Sequence, residues 1–155
     1  MIKTKKRLAL CITLLVLNIA FIWGNSLLPG EISGAFSQWV KDLLAAIFGG
    51  GEQDPQAGHG LLRKMAHFTE FCCLGMCLTW LTGMLRKRPW LSLLCGFLVA
   101  CTDETIQCFI PDRGPGIKDV MIDTAGVCLG IALLLAGFAI NQKRKNKHIL
   151  EESKQ

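Results

Sequence analysis

The chain contains no tyrosine and only five prolines, and charged residues make up just 19% of its 155 residues. An ordinary soluble domain carries about 25%. The charges that are present gather in clusters. None falls between Leu8 and Gly30, and further uncharged tracts run from Phe71 to Leu85, Trp90 to Thr102 and Thr124 to Ile140. With 51% hydrophobic residues and a mean hydropathy of +0.39, this pattern excludes a disordered chain and argues against a water-soluble globule. C-x-x-C pairs, zinc-finger spacing, H-E-x-x-H and G-x-S-x-G are all missing, so no established metal-finger or hydrolase signature is available. The length suits one domain.

What is there reads as membrane spans. A helical residue rises about 1.5 Å, so a hydrocarbon core of about 30 Å needs about 20 apolar residues. The stretches 8–24, 61–85, 90–110 and 119–140 meet that need. The basic start at Lys3, Lys5, Lys6 and Arg7 would also suit a signal peptide, but the apolar stretch is long for one and no A-x-A-like cleavage site follows it. RKRP at 86–89 and IPDRGPGIK at 110–118 separate the later spans, since Pro and Gly do not continue a helix cheaply. The expected fold class is all-α: an integral membrane four-helix bundle at 8–140, with a basic N-terminus at 1–7 and a charged tail at 141–155.

Cations set the expected orientation. Basic clusters precede span 1, fill the 86–88 turn as Arg86, Lys87 and Arg88, and follow span 4 as Lys143, Arg144, Lys145 and Lys147. The other two connections hold only Lys41, Arg63, Lys64, Arg113 and Lys118. Cytoplasmic flanks collect Lys and Arg, so both termini are expected inside the cell, in a multi-pass membrane protein. Short juxtamembrane basic runs are accounted for by contact with anionic membrane lipids, and no nucleic-acid partner is expected. In the first outer loop, Phe36, Trp39, Val40, Leu43, Leu44, Ile47 and Phe48 recur at helical spacing. They predict an amphipathic interfacial helix at 36–48, too short to span, followed by a flexible Gly49–Gly51 link. His59 is expected to be a solvated loop residue. The eight cysteines all fall within the spans and are read as packing residues, with Cys108 alone near an accessible end.

The informative residues are ionisable groups inside spans. Lys64, His67 and Glu70 lie in span 2, Asp103, Glu104 and Gln107 in span 3, Asp112 and Arg113 in the next loop, and Asp119 and Asp123 at the start of span 4. A charge at the bilayer centre costs about 2.5–3.5 kcal/mol on insertion scales, so such groups face the bundle interior and are functional candidates. At 1.5 Å per residue, Glu70, Asp103 and Asp123 lie about 14, 10 and 6 Å below the outer ends of their helices. Three spans thus place their charges in the same outer half. At about 100° per residue, Lys64, His67 and Glu70 share one 120° arc centred on His67. Asp119, Asp123, Gly126, Gly130 and Gly137 form a stripe on span 4, with Gly126-x-x-x-Gly130 as a small-residue packing face. Plainer roles are open to several of them. Lys64 can snorkel to head groups, Asp119 and Asp123 can serve a helix N-terminus, Arg113 can bridge to Asp112 or Asp119, and the whole set can be a structural ion-pair network.

With these residues in hand, the sequence resembles the VanZ-like family, named for teicoplanin resistance. The resemblance lies in K-M-A-H-F-T-E-F (64–71) with Gly75, D-E-T-I-Q-C-F-I-P-D-R (103–113), D-V-M-I-D-T-A-G (119–126) with Gly130, and W-G-N-S-L-L-P-G (23–30) with Ser33 and Ser37. The family commonly has Tyr where this chain has Phe71, so any role of that hydroxyl is unfilled here. At Asp123 the family shows Asn or Asp. The resemblance implies a bacterial multi-pass envelope protein linked to glycopeptide tolerance and supplies positions, not a reaction.

Three functional readings follow. In the first, an outward-facing intramembrane pocket binds or modifies an envelope lipid, a lipid-linked envelope precursor or a lipoglycopeptide. Its ligand-binding candidates are Lys64, His67, Glu70, Asp103, Glu104, Gln107, Arg113, Asp119 and Asp123, with Lys64 and Arg113 at the mouth. In the second, His67, Glu70, Asp103 and Glu104 are catalytic candidates for acid–base hydrolysis or transfer. Sequence spacing assigns no metal ligands, and a divalent ion on His67 and carboxylates is carried only as a variant of this reading; no cofactor is specified. The third is a transporter or scaffold. No inverted repeat supports it, though homo-oligomerisation is left open.

Overall fold

The computed structural model describes residues 2–29, 32, 39, 59–111, 113, 114 and 116–152. The amphipathic segment expected at 36–48 lies, Trp39 apart, outside the described residues. Among those described there are four helices and no strand: α1 (Ile2–Ser26), α2 (His59–Met84), α3 (Trp90–Gln107) and α4 (Ile117–Glu152). Two are long and apolar enough to cross a membrane, over Thr4–Ser26 and Ile117–Lys147. The other two carry much of the interior charge.

Successive helices are antiparallel, as cross-contacts at both ends show. Cys11 meets the Cys77 carbonyl while Asn25 reaches Glu70, so α1 and α2 run opposite ways. The Thr82 and Ser92 hydroxyls lie 2.9 Å apart at one end of α2 and α3, and Arg63 bonds Gln107 at the other. Gly126 and Gly130 of α4 lie against Phe68 and Cys72 of α2 in the same order, so α2 and α4 run the same way, and this pair forms the most extensive contact.

Glycine permits that contact. A Cβ placed on Gly130 would fall on the Cys72 carbonyl, one on Gly126 on the Phe68 carbonyl, and one on Gly75 on the Val127 carbonyl. The backbones touch where side chains are missing, which is how small residues bring helices together. The stripe expected on α4 is therefore used at Gly126 and Gly130, whereas Gly137 has nothing within 4 Å.

The turn between α2 and α3 is set by Arg86, the one non-glycine residue with positive φ among those described, at 53°. Arg86 N–H donates to the Gly83 carbonyl at 3.2 Å and Lys87 N–H to Thr82 at 2.8 Å. This is a Schellman closure with arginine in the place glycine usually takes. Pro89 then caps α3 with φ −59°, already fit for a helix start.

The helix bounds differ from the sequence expectation at three places, the first being α1, which already begins at Ile2 and not at 8. The expected span 90–110 ends as a helix at Gln107, because residues 108–110 turn into the loop before α4. Beyond 140, the tail expected as 141–155 continues the helix to Glu152. It is rich in Lys, Arg, Gln and Glu, good helix formers, and contains neither Gly nor Pro. Lys147 and Glu151 pair at 3.7 Å across one turn.

The interior is small. Ile22, Phe71, Leu74, Leu78, Ala100 and Val127 form its apolar centre. Helix α3 buries Ser92, Gly96, Ala100, Asp103, Glu104 and Gln107, small at one end and polar at the other. Its large residues Leu93, Leu94, Phe97 and Leu98 point outward and are 37–54% exposed. All eight cysteines are free; Cys11 and Cys72 are buried, while Cys95, Cys108 and Cys128 are exposed.

Candidate functional site

At the end of the bundle where α1 and α3 finish and α2 and α4 begin, the polar residues converge. Gln107 stands at the centre. Its Oε1 accepts from Arg63 Nη2 at 2.6 Å, and its Nε2 donates to Asp103 Oδ2 at 2.9 Å and Ser26 Oγ at 3.2 Å. Both ends of the carboxamide are used, which fixes its orientation. Asp103 is fully buried, and its Oδ2 lies 3.8 Å from His67 Nδ1. Asn25 Nδ2 donates to Glu70 Oε1 at 2.8 Å.

Glu104 Oε2 accepts the Gly116 N–H at 2.9 Å, tying the 108–116 connection back onto α3. Lys64 and Asp119 pair at 3.2 Å between α2 and α4, with side chains 47% and 29% exposed. A pair that open to solvent contributes little stability by itself. Asp123, one turn deeper on α4, is buried.

Arg113 does something other than the sequence suggested. Asp112 lies outside the described residues, and Asp119 pairs with Lys64; Arg113 donates from Nε and Nη2 to the Leu28 carbonyl at 3.0 and 2.9 Å, and from Nη2 to the Asn25 carbonyl at 2.7 Å. It thereby holds the Asn25 carbonyl in the last turn of α1, which also accepts the Leu28 N–H at 3.3 Å, and the Leu28 carbonyl just beyond the helix, with favourable charge for a helix C-terminus. Burial draws its pKa down, with the neighbouring Arg63 adding to the effect. An arginine nonetheless keeps its charge in a protein.

A hollow of about 200 Å³ opens among Arg63, Lys64, His67, Glu104, Gln107, Gly114, Asp119, Ile122 and Asp123. At about 30 Å³ per water, this is room for roughly six waters. Of the nine residues expected to bind a ligand, Lys64, His67, Glu104, Gln107, Asp119 and Asp123 line it. Asp103 stands behind through Gln107 and His67, Glu70 is joined to Asn25, and Arg113 is taken up by carbonyls.

The sequence reading missed three members: Arg63, Asn25 and Ser26. Arg63 had a signal. At about 100° per residue it lies about 40° from His67, nearer the centre of the polar arc than Lys64. Asn25 and Ser26 sit in the W-G-N-S-L-L-P-G stretch, but their partners are more than forty positions away and nothing local announces them.

The chain was compared with known proteins. A family profile described as VanZ/LLP1 matches residues 8–139. No curated protein and no solved structure matches. The matched region takes in part of each helix and every residue that lines the hollow, and the chain belongs to the VanZ/LLP1 family.

Proposed function

We propose that this is a multi-pass protein of the bacterial cell membrane, with four spans and both termini in the cytoplasm. Its hollow faces outward and takes the anionic head group of an envelope lipid, and this binding contributes to glycopeptide tolerance of the teicoplanin kind. Family membership supports a membrane protein linked to glycopeptide resistance. The exposed Leu, Phe and Ile side chains on α1, α3 and α4, around an interior of small and polar residues, suit lipid contact better than water. Basic residues cluster at the bundle end away from the hollow, as cytoplasmic flanks do.

The observation that carries the ligand class is the hollow itself. Arg63 and Lys64 bring two cations to a wall that also holds Gln107, His67, Gly114, Ile122 and the carboxylates of Glu104, Asp119 and Asp123. A volume of about 200 Å³ admits a phosphate-sized head group, whereas a whole lipoglycopeptide is far too large. A role in tolerance then runs through surface lipids, with the bulky drug left outside. The test is binding of phosphatidylglycerol in nanodiscs by the full chain. Replacing Arg63 and Lys64 together by Gln is expected to weaken it about thirtyfold, or about 2 kcal/mol for two head-group contacts. Teicoplanin tolerance of cells expressing the variant should fall in parallel. Unchanged lipid binding at equal expression would remove this reading.

A second reading is an intramembrane hydrolase or transferase acting on such a lipid, for which His67, with Asp103 3.8 Å away, is the acid–base candidate. Turnover of a lipid-linked phosphate substrate, lost in His67→Gln, is the result that would favour it.

A further inference from the structure

Hydrogen bonding leaves one group of side chains behind the hollow unexplained. His67 Nδ1, Asp103 Oδ1 and Asp123 Oδ2 are buried and have no hydrogen-bond partner among the described residues. They come from three helices, α2, α3 and α4. Asp103 is 0% and Asp123 2% exposed. One ligand atom from each lies within 4.8 Å of those from the other two. Three residues that each carry a buried atom without a hydrogen-bond partner, gathered this closely, make a costly arrangement unless something occupies it, since each such atom forfeits about 1–3 kcal/mol.

Charge points the same way. Among the described residues, the cluster's cations are Arg63, Lys64 and Arg113, and these face the carboxylates of Glu70, Asp103, Glu104, Asp119 and Asp123. Two formal negative charges are left over. A divalent cation would balance them.

We propose that His67, Asp103 and Asp123 form a divalent-cation site. One imidazole nitrogen and two carboxylate oxygens suit Zn²⁺ or Mn²⁺. Bonds of about 2.0–2.2 Å place neighbouring ligands roughly 3–3.5 Å apart, so the three side chains need only close slightly around the ion. Asp103 is already held by the Gln107 amide at 2.9 Å, and that amide by Arg63, the kind of outer support that ligating carboxylates have. His67 and Asp123 belong to the wall of the hollow, so the ion keeps open positions on that side for water or an anionic oxygen. The site does not rest on the head-group reading, because it is defined by protein ligands alone.

The experiment is Mn²⁺ titration of the full chain in detergent micelles after removal of metal with EDTA, followed by the EPR signal of free Mn²⁺, with Zn²⁺ as competitor. One saturable site per chain is expected, displaced by Zn²⁺. His67→Gln and Asp123→Asn should each weaken it by at least about tenfold, while Glu151→Gln on the exposed tail should leave it intact. Melting provides a second readout. The parent protein should melt higher with Mn²⁺ than with EDTA, as any ligand specific to the folded state requires, and Asp123→Asn should lose that response. In EDTA, Asp123→Asn should melt no lower than the parent, because a neutral amide replaces a buried, unpartnered carboxylate. No saturable binding by the parent at millimolar Mn²⁺ and Zn²⁺ overturns the site, and so does binding that survives both substitutions. Failure of lipid binding leaves this result untouched, since the ion is the only probe.

Discussion

Gln107 joins the two sides of the polar cluster, and its replacement is the sharpest test of how that cluster is held. Its amide oxygen accepts from Arg63 while the amide nitrogen donates to Asp103 and Ser26. Gln107→Met keeps the shape and removes every one of these bonds. A buried aspartate and a guanidinium would each lose a partner, so a loss of roughly 2–4 kcal/mol is expected, read from SDS-induced unfolding in micelles. Arg113 tests a different point. Its fork holds two carbonyls at the end of α1, and a lysine can satisfy only part of that geometry. Arg113→Lys should therefore recover less than half of the stability lost in Arg113→Ala. If the side chain served only as a point charge for ligand at the hollow's mouth, Lys would be nearly as good as Arg and unfolding would not change in either variant.

At the level of elements, the contact between α2 and α4 depends on what is missing from it. Adding one methyl at Gly130 drives a carbon into the Cys72 carbonyl and within 2.9 Å of the Met76 amide nitrogen, both backbone atoms that cannot rotate away. Overpacking of this kind costs about 1–3 kcal/mol or more, so Gly130→Ala is expected to lower the unfolding midpoint strongly. Gly137 lies on the same stripe seven residues on, with nothing within 4 Å. Gly137→Ala should be neutral or slightly stabilising, by up to about 1 kcal/mol from helix propensity. Equal effects at the two positions would show that α2 and α4 do not meet as described. The same contact sets the hollow, because Lys64 and His67 lie on one of these helices and Asp119 and Asp123 on the other.

For the whole molecule, the bundle has two unlike ends. One gathers Asn25, Arg63, His67, Gln107, Arg113 and Asp123; the other carries Arg86, Lys87 and Arg88 and the continuation of α4. The proposed orientation puts the first end outside. Phosphatase-type reporters fused after Gly114 should be active, whereas fusions after Lys87 or at the C-terminus should be silent. The reverse pattern would leave the hollow facing the cytoplasm and remove the envelope-lipid reading, though not the cation site. Helix α3 spans about 27 Å at 1.5 Å per residue, close to the hydrocarbon thickness. Its large apolar residues face outward, consistent with lipid on that side.

How much of this was legible in the sequence follows from the range of the forces involved. Hydrophobic runs and charge gaps are local, so they located the four helices, but not the helical start at Ile2 or the helical tail past 140, where propensity without hydropathy gave no warning. Helical angle grouped His67 with Lys64 and Glu70, and Asp123 with Asp119 and the glycines, because 100° per residue holds whatever the neighbours are. Partner identity was not local. Arg113 bonds carbonyls 85 and 88 residues earlier, and Gln107 reaches a serine 81 residues away. Main-chain carbonyls carry no sequence signature, so Arg113 could only be paired on paper with a carboxylate, and Asn25 and Ser26 with nothing. The sequence by itself determined which residues had to be sheltered from lipid. Only the tertiary structure decided which of them bond one another and which, like His67 and Asp123, are brought together with atoms to spare, since that depends on how closely α2 and α4 approach across their glycines.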